Sequence, residues 1–161
     1  MPLSPAERAG LIERYANGPA VLQAALNKIP KEAMQWRPEP GKWSAHEVIV
    51  HCADSETNAH GRIRYLVAEA QPVIQGYDQD RWAVTLDYHS LPLAPALATV
   101  TAVRANTTAL LRRLTDADWA RVGTHTESGR FGAEDWLKSY AEHLEIHARQ
   151  LERNLAAWNK R

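Results

Sequence analysis

Cysteine is almost absent from the chain: Cys52 is the only one among 161 residues. A single thiol forms neither an intramolecular disulfide nor a zinc site built from several cysteines. An excess of charge of one sign is also missing, because 19 lysines and arginines balance 19 aspartates and glutamates. Nucleic-acid-binding proteins usually present a basic face. We therefore expect no nucleic-acid partner.

Long apolar stretches are missing as well. The longest runs, such as Tyr65 to Ala68, are far shorter than the roughly 20 residues that cross a bilayer as a helix. The first residues lack a basic stretch followed by an apolar run, so no signal peptide is expected. Together with the lone cysteine, this pattern predicts a cytoplasmic protein without a membrane partner, folded as a single domain over residues 1–161.

Phenylalanine is scarce, since Phe131 is the only one, whereas six tryptophans are spread along the chain. Tryptophan packs well at the ends of a helical core, where its indole N–H still finds an acceptor. An aromatic-lined ligand pocket is the alternative. The sequence pattern leaves both interpretations open.

Apolar residues at helical spacing define four segments. The predicted helices cover residues 5–29, 45–70, 92–114 and 133–158. The first two begin with capping boxes, Ser4 with Glu7 and Ser44 with Glu47, in which side chain and backbone of the two residues bond reciprocally. With no convincing strand elsewhere, the pattern predicts an all-α four-helix bundle.

The interruptions between these segments differ in kind. Gly18-Pro19 is expected to kink or split the first helix, and the proline-rich residues 36–43 predict an ordered turn. Residues 71–91 form a connection that is long for a bundle, and such loops tend to be functional. The polar, glycine-containing residues 124–132 suggest a small hairpin.

Three of the seven histidines are expected to point into the bundle. His143 and His147 are four residues apart on the last helix, so they share one face, one turn apart. That face also carries Leu144, and His51 lies beside Cys52 on the inner face of the second helix. Three imidazoles from two helices are thus expected to face the core.

A divalent metal ion explains three inward histidines, because it satisfies one nitrogen of each ring and leaves the other N–H for a protein acceptor. Three histidines without a fourth protein ligand are typical of an open site, where water or substrate completes the coordination. The alternative is that these histidines are ordinary core residues, since a pair at this spacing also arises by chance.

Better-known sites do not fit the sequence. Glu145 lies between His143 and His147 and does not follow the first histidine, as the HExxH metalloprotease motif requires. No histidine has a glutamate three positions before it, which excludes a dinuclear carboxylate site. Cys52 beside His51 suggests a thiol nucleophile activated by a histidine, but the side chains of successive helical residues do not face each other. Cys52 is therefore expected to be a buried structural residue.

Several motifs resemble DinB-like proteins, and in particular the YfiT-type branch that includes bacillithiol transferases. They are RPEPGKWS at 37–44, His51 followed by ADS at 53–55, YDQDRW at 77–82, and YAEH at 140–143 with His147 beyond. The similarity spans about residues 34–155. It implies a four-helix bundle whose middle helices run in parallel, often as a homodimer.

The resemblance also implies a site for zinc, nickel or a related divalent ion at His51, His143 and His147, the three histidines that the spacing already selects. The branch tends to carry two adjacent histidines where this chain has Ile146 and His147. This departure is expected to change either the contacts that surround the metal ligands or the substrate preference.

The resemblance implies an enzyme that transfers a low-molecular-weight thiol to an electrophilic small molecule. A metal-dependent hydrolase is the alternative, as are a non-catalytic metal-binding stress-response protein and a plain helical dimer. The expected substrate-binding residues are in the loop after the second helix, where simple packing would explain them equally well: Tyr77, Asp80, Arg81 and Trp82.

Overall fold

Four long helices dominate the computed structural model, which describes residues 2–161. They are α1 (Pro5–Leu26), α2 (Ala45–Ala68), α4 (Leu93–Leu111) and α6 (Ala133–Trp158). Two short helices, α3 (Gln79–Thr85) and α5 (Asp116–Trp119), lie in the connections. The predicted four-helix bundle is confirmed.

Both predicted capping boxes are formed, at Ser4 and at Ser44. The predicted break at Gly18-Pro19 is wrong, because α1 continues through it as one helix. A Cβ atom on Gly18 would lie 3.0 Å from Arg104 Nη1 and 3.1 Å from Leu144 Cδ1. Glycine at this position therefore lets α1 approach α4 and α6 closely.

Helices α2 and α4 run in the same direction. Glu56 of α2 pairs with Arg104 of α4, and one turn further along both helices His60 contacts Thr107. The expected parallel arrangement of the middle helices is confirmed. A parallel pair requires a crossover connection, which explains the length of residues 71–91.

Helices α2 and α6 are antiparallel. Ser55 of α2 contacts His143 of α6. Ala59, one turn after Ser55 on α2, accepts a hydrogen bond from Trp136, which lies almost two turns before His143 on α6. This arrangement brings the middle of α2 opposite the two histidines of α6. It is the part of the fold that forms the candidate site.

A small three-stranded sheet accompanies the helices. Strand β1 (Val73–Ile74) pairs in parallel with β2 (Val122–His125), which pairs antiparallel with β3 (Gly129–Gly132). The suggested hairpin is therefore present, but β1 and α3 were not predicted within the long connection. A two-residue strand and a seven-residue helix are too short to produce a clear periodicity.

The apolar core consists of two clusters along the bundle. One includes Leu22, Ile49, Leu144 and Leu151, and the other Tyr15, Ile63, Trp136 and Leu137. Glu56 and Arg104 lie between these clusters. Among residues 2–161, no helix is both long enough and apolar enough to cross a membrane.

Candidate metal centre

The three predicted histidines come together at the interface of α2 and α6. Candidate ligand atoms of His51, His143 and His147 all lie within 4.8 Å of one another. The Nε2 atoms of His143 and His147 are 3.2 Å apart. His51 is only 2% exposed, and its ring packs against Trp43, with centroids 4.7 Å apart.

The outer nitrogens of two rings are held by side-chain acceptors. His143 Nδ1 lies 2.9 Å from Glu56 Oε1, and His147 Nδ1 lies 2.9 Å from Gln150 Oε1. A carboxylate only accepts hydrogen bonds, so Nδ1 of His143 carries the proton. With the Gln150 oxygen as acceptor, the same holds for His147. Both Nε2 atoms then present lone pairs.

This arrangement fits a cation. Two nitrogen lone pairs 3.2 Å apart repel each other unless an ion or a proton lies between them. Two nitrogens that share one zinc ion in tetrahedral coordination are roughly 3.3 Å apart. His51 Nδ1 is buried and has no hydrogen-bond partner among the described residues. Buried polar atoms without a partner are rare and costly.

Burial keeps the rings of His51 and His147 neutral. Burial, reinforced by the other two histidines, lowers the pKa of His51 to about 2. Burial and the neighbouring His143 lower the pKa of His147 to about 4. Neutral imidazole is the form that binds a metal ion. Near neutral pH, protons therefore compete little with a metal ion for the ring nitrogens of these two histidines.

A buried ion pair between Glu56 and Arg104 adjoins the candidate centre. Arg104 donates to Glu56 through Nε at 2.7 Å and through Nη2 at 2.6 Å, and Glu56 is fully buried. Burial alone raises the pKa of Glu56, but the hydrogen bond from His143 and the charge of Arg104 outweigh it, so the pKa is lowered. The ionised carboxylate fixes the orientation of His143.

Three hydroxyl groups lie on the other side of His143. Ser55 Oγ is 3.3 Å from His143 Nε2, and the Tyr140 ring meets the His143 ring edge-on, with centroids 5.4 Å apart. Burial raises the pKa of the Tyr77 and Tyr140 hydroxyls, while hydrogen bonding with Ser55 opposes this rise. The hydroxyl groups of Ser55, Tyr77 and Tyr140, called the hydroxyl wall below, are grouped beside Nε2 of His143.

Residues 14–151, well over half of the chain, match the family described as the DinB superfamily. The chain belongs to the DinB superfamily. A proposed metal-dependent hydrolase of Oceanobacillus iheyensis is 33% identical over 129 residues, covering 80% of this chain and 74% of that protein. YfiT of Bacillus subtilis, also a proposed metal-dependent hydrolase, is 28% identical over 130 residues, covering 80% and 73%.

Solved structures agree with this DinB assignment. YfiT of Bacillus subtilis, described as having an unusual four-helix bundle topology, superposes with a TM-score of 0.86 at 26% identity, covering 96% of this chain and 90% of that one. The four-helix bundle protein TT2238 superposes with a TM-score of 0.65 at 20% identity, covering 91% and 98%, and supports the fold alone. The resemblance to DinB and YfiT proteins is confirmed.

The predicted substrate residues of this DinB chain are brought together only in part. Tyr77, Arg81 and Trp82 line a common open pocket of about 650 Å³. The Tyr77 and Trp82 rings pack against each other at an angle of 41°, with centroids 4.4 Å apart. Asp80 is exposed in the first turn of α3 and does not line this pocket.

The tryptophans of the DinB fold include one in the core and two beside the candidate centre and the open pocket. Trp136 is fully buried and donates its indole N–H to the Ala59 carbonyl oxygen. Trp43 packs on a histidine of the candidate centre, and Trp82 lines the pocket. Cys52 is buried, as predicted, and burial raises the pKa of its thiol.

Sequence inspection missed the ion pair between Glu56 and Arg104. A signal was present, because Glu56 is four residues after Cys52 and Arg104 is four residues after Val100, so both charges fall on predicted inner faces. Asp54, three residues after His51, accepts a hydrogen bond from the Tyr88 hydroxyl at 2.6 Å.

Proposed function

We propose that the chain binds one divalent metal ion, zinc or nickel, through His51, His143 and His147. The observation that carries this proposal is the 3.2 Å separation of the His143 and His147 Nε2 atoms, on two rings whose Nδ1 atoms each face a side-chain oxygen. A ligand atom of His51 within 4.8 Å of those of His143 and His147 adds to it. No cysteine or carboxylate of the described residues joins the group, which leaves a coordination position for a small molecule.

The proposed reaction is the transfer of a low-molecular-weight thiol to an electrophilic small molecule, as in the bacillithiol transferases that the sequence motifs resemble. A divalent ion at an open site would supply Lewis acidity, which favours the thiolate form of a bound thiol. Glu56 accepts a hydrogen bond from Nδ1 of His143. The proton therefore stays on Nδ1, and Nε2 of the same ring is available to a metal ion. Trp43 covers His51 and limits the access of water.

The nearby carboxylates favour a thiol over water as nucleophile. Glu56 is engaged by Arg104 and His143, Asp54 by Tyr88, and Glu145 by Arg14. None of these three is free to act as a general base that removes a proton from water. A thiol has a much lower pKa than water and needs this help less.

Hydrolysis is the second candidate, supported by the names of the relatives from Oceanobacillus iheyensis and Bacillus subtilis. A divalent ion also lowers the pKa of bound water. Both reactions would use the same three histidines. They differ in whether a thiol is consumed.

Elemental analysis of protein purified without a histidine tag tests the metal site. We expect close to one zinc or nickel ion per chain, and near-complete loss of the ion in His51→Ala. His125→Ala, in the hairpin, is the matched control and should retain the metal. Wild-type protein that stays metal-free after incubation with zinc would overturn the proposal.

Assays of the metal-loaded protein separate the two reactions. With chlorodinitrobenzene and a panel of small thiols, thiol transfer predicts conjugate formation that disappears in His147→Ala. With nitrophenyl esters and no thiol, hydrolysis predicts release of nitrophenol. Loss of metal without any change in either rate would contradict a catalytic role.

The remaining assignments are proposals of the same kind. We expect the pocket of Tyr77, Arg81 and Trp82 to receive part of the small-molecule substrate. We also expect a cytoplasmic homodimer. Sedimentation equilibrium would measure its mass.

A further inference from the structure

Arg62 on α2 has a guanidinium group that is incompletely satisfied. Nη1 donates to the Tyr140 hydroxyl at 3.2 Å, and Nη2 donates to the Gln75 carbonyl oxygen at 2.6 Å. Nε is buried and has no acceptor among the described residues. A buried donor without an acceptor is unusual in a native protein and calls for a physical explanation.

The charge of Arg62 is also uncompensated. Within residues 2–161 no carboxylate lies within 4.0 Å of its guanidinium nitrogens, whereas Arg104 and Arg37 each contact a buried glutamate. Glu56 is the acidic residue nearest in sequence on the same helix, and it is occupied by Arg104 and His143. Asp54, the next nearest, is occupied by the Tyr88 hydroxyl. The protein therefore supplies hydroxyl and carbonyl oxygens to this cation, but no negative charge.

The surroundings of Arg62 lead directly to the candidate metal centre. Its guanidinium carbon lies 5.7 Å from the centre of the Tyr77 ring, and Tyr140 packs against His143. Ser55 completes the hydroxyl wall at 3.3 Å from His143 Nε2. Arg62 is thus connected to the His143 ring through the Tyr140 side chain.

Helix geometry explains why these groups meet. Ser55 is four residues after His51 and Arg62 is seven residues after Ser55, so all three lie on one stripe of α2. Long side chains on a helix point toward its N-terminus, which directs Arg62 back toward Ser55. On α6, Tyr140 precedes His143 by three residues and shares its face.

We propose that the substrate bound at the three-histidine centre carries a carboxylate group, which Arg62 receives together with the Tyr140 and Tyr77 hydroxyls. A planar guanidinium matches the two oxygens of a carboxylate. The carboxylate of the ligand would supply the negative charge that no side chain of the described residues provides to the Arg62 guanidinium. This inference rests on the proposed small-molecule function of the same site and specifies the chemical class of its substrate.

Calorimetric binding of two matched probes to zinc-loaded protein tests the inference. Mercaptopropionate and mercaptopropanamide have the same thiol and length and differ in the charge of the other end. We expect the acid to bind about tenfold more tightly than the amide, as for a charged hydrogen bond. The preference should vanish in Arg62→Gln and persist in part in Arg62→Lys.

Arg64→Gln is the matched control, because Arg64 lies on the same helix but bonds to Asn106 and to the His60 carbonyl oxygen. It should keep the full preference. Equal affinity of wild-type protein for acid and amide would overturn the inference, as would a preference that survives in Arg62→Gln or disappears equally in Arg64→Gln. Circular dichroism and metal content establish that each variant is folded and loaded.

A thiol-free pair separates this inference from the proposed reaction. Propionate and propanamide report on the carboxylate subsite without any transfer chemistry. Binding of propionate that depends on Arg62 supports the subsite even if no thiol is transferred. Thiol transfer that proceeds equally with acid and amide overturns the subsite and leaves the proposed reaction standing.

Discussion

Glu56 is the residue that connects the candidate metal centre to the rest of the bundle. It accepts from His143 on one side and from Arg104 on the other. Arg104 in turn donates to the backbone carbonyl oxygens of Tyr15 and Tyr140. Three helices other than α2 are therefore joined to the carboxylate that orients one metal-facing ring.

We predict that Glu56→Gln weakens zinc binding by about 10- to 100-fold, as is common when the acceptor behind a histidine ligand is removed. The variant also leaves the buried charge of Arg104 unpaired, which costs about 3–5 kcal/mol. Competition with a fluorescent zinc chelator measures the first effect, and urea unfolding the second.

Glu145→Gln is the control for this prediction. Glu145 lies on α6 and pairs with Arg14 on the surface, where an ion pair contributes about 1 kcal/mol or less. Zinc affinity should stay at the wild-type value. Equal zinc affinity of Glu56→Gln and Glu145→Gln would show that Glu56 does not support the centre.

Among the structural elements, the crossover between α2 and α4 is held at several points. The hairpin tip contributes the Thr126 hydroxyl, which accepts from the Gly76 backbone N–H at 2.9 Å. Further along, His89 Nε2 lies 2.7 Å from Ser44 Oγ, and the Tyr88 hydroxyl donates to Asp54. These contacts place Tyr77 and α3 beside the candidate centre.

We predict that Tyr88→Phe loosens the crossover without unfolding the bundle. Loss of the Tyr88 hydroxyl leaves the carboxylate of Asp54 without this donor, at a cost of about 1–3 kcal/mol. Hydrogen exchange should become faster in residues 71–91 and stay slow in α6. Tyr65→Phe is the control, because the Tyr65 side chain is 55% exposed on α2. Equal exchange in both variants would contradict the prediction.

At the scale of the whole molecule, the buried histidines couple stability to pH. An unfolded histidine titrates near pH 6.5, whereas metal-free His147 has a pKa of about 4 and His51 of about 2. Below pH 6.5 the unfolded chain therefore binds protons that the folded chain does not. Stability from these histidines is present above pH 6.5 and decreases as the pH falls toward 4.

We predict that the metal-free protein loses about 1.4 kcal/mol of stability per pH unit for each such histidine in this window. Urea unfolding between about pH 7.5 and pH 5 measures the slope, which should be smaller in His147→Gln. His125→Gln, in the exposed hairpin, should keep the wild-type slope. A free energy of unfolding that does not change over this range would disprove the coupling.

Much of the molecule could be predicted because its signals are local. The capping boxes at Ser4 and Ser44 mark helix starts, and the spacing of His143 and His147 selects one face. The exceptions depend on contacts distant in sequence. Continuity of α1 at Gly18 depends on Arg104 and Leu144, and strand β1 exists because β2 lies beside it.

The sequence by itself determined the four helices, their inner faces and the three histidines, because helical periodicity and capping act within a few residues. The motif resemblance added the parallel middle helices, which the structure confirms. Only the tertiary structure decided that three ring nitrogens converge, that Glu56 and Arg104 support them, and that Arg62 lacks a carboxylate. Distances, burial and charge compensation arise between helices, and no single helix encodes them.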